Sequence, residues 1–173
     1  MTRVAVLSGV AIAIAGCQAG PRTIEQATSP AGDTVAVVGV VRVVGADPLT
    51  QLVVQREGGE ATAIVGPLLT ELHQTVGLEV RIVGVTADAV PPVRHALSVH
   101  AYEALALNGA PVHTGLLQQA GDALYLMGAK ERWMLVNPPE GLRAALGAKV
   151  WVAGEASDGA LPVFAYGILK RAS

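Results

Sequence analysis

Three histidines are the side chains best placed to do chemistry. His95, His100 and His113 lie close together in the chain. Neutral imidazole suits zinc and copper, so a small-ligand or metal (Zn/Cu) site near these residues is one reading. Their spacing matches no metal motif, however, and no acid accompanies them in a ligand-like pattern. The expectation is solvated or hydrogen-bonded histidines. Catalytic signatures are absent: there is no G-x-S-x-G elbow, no H-E-x-x-H, no glycine-rich phosphate loop and no Cys–His pair. Acids at Asp47, Glu57, Glu60, Asp88, Asp122 and Asp158 sit in turn-like stretches, where they form turns and carry solvated charge. The chain therefore reads as no enzyme, with no cofactor. Four aromatic residues, Trp133, Trp151, Tyr102 and Tyr166, are the candidates for an interface.

The lone cysteine, Cys17, excludes an intrachain disulfide and a Cys-based metal cage. It follows Met1-Thr2-Arg3 and an uncharged apolar run, Val4 to Ala15, which is too short to span the roughly 20 residues a bilayer needs. Such a run suits the h-region of a signal peptide. Ile14-Ala15-Gly16-Cys17 resembles the bacterial lipobox. The resemblance implies cleavage after Gly16 (residues 1–16 as signal peptide), a thioether-linked diacylglycerol on Cys17 and a third acyl chain on its freed amino group. Several acyl chains hold a protein to a bilayer far more firmly than one. Gln18 in place of Asp fits delivery to the outer membrane in a two-membrane host. The partner so implied is a membrane, held through Cys17, with the chain facing the periplasm or extracytoplasmic space. Residues 17–33 are rich in Gly, Pro, Ser, Thr and Ala and read as a flexible tether.

Composition narrows the partners further. Apolar residues make up 51% and charged residues 15%, against disorder in most of the chain. A net charge of −2 with 3% aromatics gives neither the cationic footprint nor the stacking surface of a nucleic-acid binder.

The remainder repeats. Leu97-Ser98-Val99-His100-Ala101-Tyr102-Glu103-Ala104-Leu105 aligns with Leu161-Pro162-Val163-Phe164-Ala165-Tyr166-Gly167-Ile168-Leu169. The stretch from Val76 to Ala87 aligns with Leu146 to Ser157, and Val38 to Val41 with Thr114 to Leu117. Turn-forming Asn108-Gly109-Ala110-Pro111 separates the copies, 34–107 and 111–173. Each copy reads as three strands, a short helix and two strands. The expected strands are Val35–Val44, Leu49–Arg56 and Ala61–Val65, then Val112–Gln119, Ala123–Met127 and Arg132–Val136. Asn137-Pro138-Pro139-Glu140 offers a helix N-cap close to a capping box, and Gly66-Pro67 a weaker one. Leu68, Leu72 and Val76, with Leu142 and Leu146, supply an apolar helix face. Gly77 and Gly147 suit a positive-φ helix end.

That element order resembles the OB-fold, a five-stranded barrel with a helix at one end. The resemblance implies an all-β chain with short helices, two small OB-fold-like five-stranded barrels in tandem. The second copy is short for the fold, which predicts a trimmed or partly open barrel. An SH3-like barrel, the nearest rival, lacks the helix. In the alignment Val150 and Val152 match Val80 and Ile82 as core positions, so Trp151 points away from its own core, towards the first module, a glycan or another protein. The function expected is that of a membrane-anchored, non-catalytic binding or assembly module of the cell envelope, acting on an envelope protein or glycan. Replacement of Cys17 by Ser is expected to leave an uncleaved precursor that takes up no labelled fatty acid, as read by gel shift and metabolic labelling.

Overall fold

The computed structural model describes residues 33–89 and 91–172. The expected signal peptide, Cys17 and all of the expected tether but Asp33 lie outside the described residues. Within them the chain is all-β with two short helices. In order these are β1 (Thr34–Val44), β2 (Gln51–Gln55), β3 (Ala61–Val65), α1 (Leu69–His73), β4 (Glu79–Ala87) and β5 (His95–Leu107). Then follow β6 (Ala110–Ala120), β7 (Ala123–Met127), β8 (Arg132–Val136), α2 (Glu140–Arg143), β9 (Lys149–Ala153), β10 (Ala160–Pro162) and β11 (Ala165–Lys170). Among the described residues no helix is long and apolar enough to cross a membrane.

In the first copy the strand pairings run β1–β2–β3–β5–β4 and return to β1. The β3–β5 ladder is parallel and the others are antiparallel. In the second copy β6 pairs with β7 and β9, β7 with β8, β8 with β10 in parallel, and β9 with β11. Here the last strand of the first copy corresponds to two short strands, parted at Val163 and Phe164.

The two aligned stretches have matching registers. Gly39 faces Val80 and Gly115 faces Val150. Ile64 faces Leu97 and Leu135 faces Leu161. Tyr102 faces Ile82 and Tyr166 faces Val152. Outside the ladders, Val41 N–H donates to Leu78 O at 2.9 Å and Leu117 N–H to Ala148 O at 3.0 Å. The bonds from Gly77 N–H to Val41 O and from Gly147 N–H to Leu117 O match in the same way, at 2.9 and 2.8 Å.

Each copy buries a leucine from its helix, Leu72 and Leu142, inside its own apolar cluster. Truncating either to alanine costs about 2–5 kcal/mol at this degree of burial. The helices are shorter than the apolar spacing predicts. Val76 and Leu146 lie beyond the helix ends and are exposed, while Leu78 and Ala148 enter the cores. The expected cap also differs. Asn137 adopts φ 51° and turns the chain instead, Pro139 precedes the helix, and no side chain caps either helix. A helix of a single turn gains its stability from the leucine it buries, so the cap is dispensable. Gly77 and Gly147 take positive φ as the sequence suggests. Leu49 is not in β2 but is exposed in the turn before it.

Asn108 and Gly109, both at positive φ, make a two-residue hairpin between β5 and β6. The break between the copies is thus a tight turn within a continuous ladder, with Ala106 opposite Pro111 and Leu107 opposite Ala110. Gly39 and Gly115 permit the crowded crossing of the first strand of each copy. A Cβ at either would overlap a carbonyl oxygen of the neighbouring strand, Gln55 O or Met127 O. Gly39→Val or Gly115→Val is expected to lower stability by about 1–3 kcal/mol, read as a drop in urea midpoint at unchanged slope.

Candidate functional site

The side chains of β9 separate the two copies into two kinds of surface. Val150 and Val152 enter the second core. Trp151, between them, faces the other way and is only 8% exposed, because it lies in the first copy's apolar cluster with Val112, Ala153 and Leu169. Its indole N–H donates to Gln74 O at 3.1 Å. Gln74 is the C-cap of α1, so the second copy satisfies a carbonyl that a helix end leaves without an intrahelical partner. Gly167 sits opposite Trp151, and a Cβ there would overlap the indole. Trp151 is therefore a packing residue of the junction and offers no free face to a ligand.

A polar cluster sits beside it. Tyr102 Oη donates to Glu71 Oε1 at 2.5 Å. Lys149 Nζ donates to the same oxygen and lies 5.2 Å from the Tyr102 ring centroid. Burial alone raises the Glu71 carboxyl, but the hydrogen bonds from Lys149 and Tyr102 outweigh it and hold the group below its ordinary value. Burial, then the Glu71 carboxylate, push the Tyr102 hydroxyl up. In the second copy Tyr166 repeats Tyr102, and its hydroxyl lies over Gly141, the counterpart of Glu71. The second tyrosine therefore packs against its own helix without a carboxylate.

The three histidines do not converge. His95 Nε2 stands 3.7 Å from Glu60 Oε1, whose carboxylate also pairs with Arg56 at 3.1 Å. His100 is exposed. His113 packs on Trp133 with ring centroids 4.6 Å apart, and its Nε2 is buried with no hydrogen-bond partner among the described residues. Among those residues no three His, Cys, Asp or Glu side chains are grouped to hold a metal. Trp133 lies opposite Leu126 and packs against the second core.

The residues that stand out were not singled out from the sequence. They lie on the outward face of β7 and β8. Register places Gln118, Tyr125, Met134 and Ala160 in one row, with Leu116, Met127 and Arg132 beside it. The Arg132 guanidinium lies 4.8 Å from the Tyr125 ring centroid. Met134 is 41% exposed and Leu116 49% exposed.

The same row exists in the first copy as Arg42, Val53, Ala63 and Ala96. There Val53, Ala63 and Ala96 are covered, Val53 0% and Ala63 6% exposed in one cluster with Val93, while Arg42 stays exposed. The cover comes from Val93, with Ala89 at its margin, and Gln51 Nε2 donates to Pro91 O at 3.2 Å. The second copy has no such cover. Eleven residues separate Gly84 from Ala96, and five separate Gly154 from its counterpart Ala160. That length difference was the signal available in the sequence.

A scan against protein-family models found none that matches the chain, and searches of curated proteins and of solved structures found no match.

The junction cluster makes stability depend on pH. A carboxyl held low in the folded state favours folding above its ordinary value of 4.5, and that contribution fades as the pH falls below it. A hydroxyl held high favours folding below its ordinary value of 10.0, and that contribution fades above it. Urea midpoints are expected to fall at both extremes. Glu71→Gln should flatten the acid limb, and an unchanged acid limb in that variant would show that the carboxylate is not a source of it.

Proposed function

We propose that this chain is a lipid-anchored, non-catalytic protein of the bacterial envelope, built as two OB-fold-like barrels in tandem and binding through the second. The anchor reading is supported by the apolar run that ends at Ile14-Ala15-Gly16-Cys17. The barrel reading is supported by the pairing order β1–β2–β3–β5–β4, which returns to β1, and by its register-for-register counterpart in residues 110–170. The first barrel serves as a spacer and a base for the second, which it grips through Trp151, Tyr102, Glu71 and Lys149.

One observation carries the binding role. Outward Val53, Ala63 and Ala96 are buried with Val93 in the first copy, whereas at the counterpart positions in the second Tyr125 and Ala160 are half-buried and Met134 is exposed. Exposed apolar side chains gathered on one sheet face mark an interaction surface more often than scattered ones do. Tyr125, Met134 and Arg132 are also of the types that concentrate binding energy. Fold alone does not set a function, so the role rests on this face.

Chemical crosslinking in intact cells tests it. The wild-type chain is expected to give an adduct of higher mass, and the double variant Tyr125→Ala, Met134→Asp to lose that adduct while remaining folded and membrane-associated. No adduct from the wild type, or an equal one from the variant, would overturn the reading.

A further inference from the structure

Helix α1 joins the end of β3 to the start of β4 and so lies at one end of the first copy. At the opposite end β1, β3 and β5 begin, β2 and β4 finish, and a cavity of about 290 Å³ opens. Val37, Thr62 and Leu97, all buried, form its floor, with Val35 on the wall. Arg56, Glu60 and His95 stand at its rim, with much of each side chain exposed.

The second copy fills the same place with side chains of its own. His113 occupies the position of Val37, opposite Val152 as Val37 is opposite Ile82. Trp133 occupies that of Thr62, opposite Leu126 as Thr62 is opposite Val54. Facing residues in a ladder share a side of the sheet, so both rings lie on the side of the second core. Their centroids are 4.6 Å apart, and His113 Nε2 is buried. The N–H of Gly128 donates to Glu131 O as that of Arg56 does to Glu60 O, which makes Gly128 the counterpart of Arg56. A Cβ on Gly128 would stand 2.8 Å from the indole, so the ring reaches the rim. Gly159 likewise stands where the first copy has His95. One copy closes this end with flat rings under a glycine rim. The other has short side chains under a polar rim, and the space is open.

We propose that the cavity of the first copy is a binding site for a small aromatic carboxylate, a flat ring of about indole size with an acid group at its edge. The site stands apart from the outward face of the second copy and gives the first copy a role beyond that of a base. An apolar cavity of about 150 Å³ already admits benzene, so this one has room for a two-ring system. The aliphatic side chains of Val35, Val37 and Leu97 supply the close contacts that a ring face needs. The rim selects the head group. Glu60, the one carboxylate among the lining residues, has Arg56 Nη1 3.1 Å from Oε2 and His95 Nε2 3.7 Å from Oε1. A cationic head would have to break up those pairs. A guanidinium has five N–H donors, and it can hold an incoming carboxylate while keeping Glu60 on Nη1.

Calorimetric titration of the full-length chain in lipid nanodiscs with indole-3-acetate tests the site. Saturable binding at one site per chain is expected. Indole, which lacks the acid, and acetate, which lacks the ring, should each bind roughly tenfold or more weakly, the scale of a charge-assisted hydrogen bond. Arg56→Gln should weaken indole-3-acetate to a similar extent and leave indole little changed. Thr62→Trp, which repeats the filling of the second copy, should abolish binding. If that variant does not fold, the smaller Thr62→Leu should still weaken it. The double variant Tyr125→Ala, Met134→Asp should bind as the wild type does. Absence of saturable binding, equal affinity for indole and its acid, or unchanged affinity in Arg56→Gln or a folded Thr62 variant would overturn the proposal. Loss of binding in the double variant would overturn it too, by putting the ligand on the other copy. The function proposed above depends on its crosslinked adduct and not on these titrations.

Discussion

A β-strand presents side chains to both sides, and from Val150 to Ala153 neither side of β9 faces water. Val150 and Val152 close the second core, while Trp151 closes the first. That double burial makes the two copies one mechanical object. A tryptophan buries on the order of 150–250 Å², and it also supplies the hydrogen bond that the end of α1 lacks. Val112, Ala153 and Leu169, all from the second copy, pack in the same cluster. The sequence break at Asn108-Gly109 is therefore no boundary in energy. The hairpin keeps the strands paired across it, and the apolar cluster runs across the same seam.

Positions that match in register have different surroundings in the two halves. Tyr102 and Tyr166 keep the same register but meet Glu71 in one copy and Gly141 in the other. The carboxylate is retained where it also meets Lys149 of the opposite copy, so it ties the modules together as well as holding its tyrosine. Exposed ion pairs add little to stability. The Glu71 pair is half-shielded and shares its oxygen with a tyrosine hydroxyl, the kind of charge-assisted contact that is stronger. The outward rows differ in the other direction. Val53 and Ala63 are small and buried beneath Val93, whereas Tyr125 and Met134 are larger and less buried.

The junction and the bare face are linked through the same strands. Val112 at the start of β6, with Trp151 and Ala153 of β9, faces the first copy, while Leu116 and Gln118 further along β6 face solvent with the outward side chains of β7 and β8. Fastening the second module along one side leaves the other side at a defined position relative to the first module. Rigid placement of a binding face reduces the entropy cost of docking.

Much of the local structure was legible from residues alone. Alternation of apolar positions marked β3, β7 and β8 to the residue, and Gly77 and Gly147 take the positive φ expected of them, although the helices end earlier, at the C-caps Gln74 and Ala144. Leu72 and Leu142 were identified as core, while Val76 and Leu146 were not core after all, because a one-turn helix ends before its periodicity does. Alternation also showed that Trp151 leaves its own core, since a period of two is a property of the strand itself. Where it went was a matter of tertiary structure, because only the packing of β9 on the first copy brings it to Gln74. The histidines looked like a group because they are near in sequence, but strands carry neighbours apart, and His95, His100 and His113 end in three different surroundings. The bare face was the converse case. Gln118, Tyr125, Met134 and Ala160 are spread over four strands, and only the registers of those strands set them in one row.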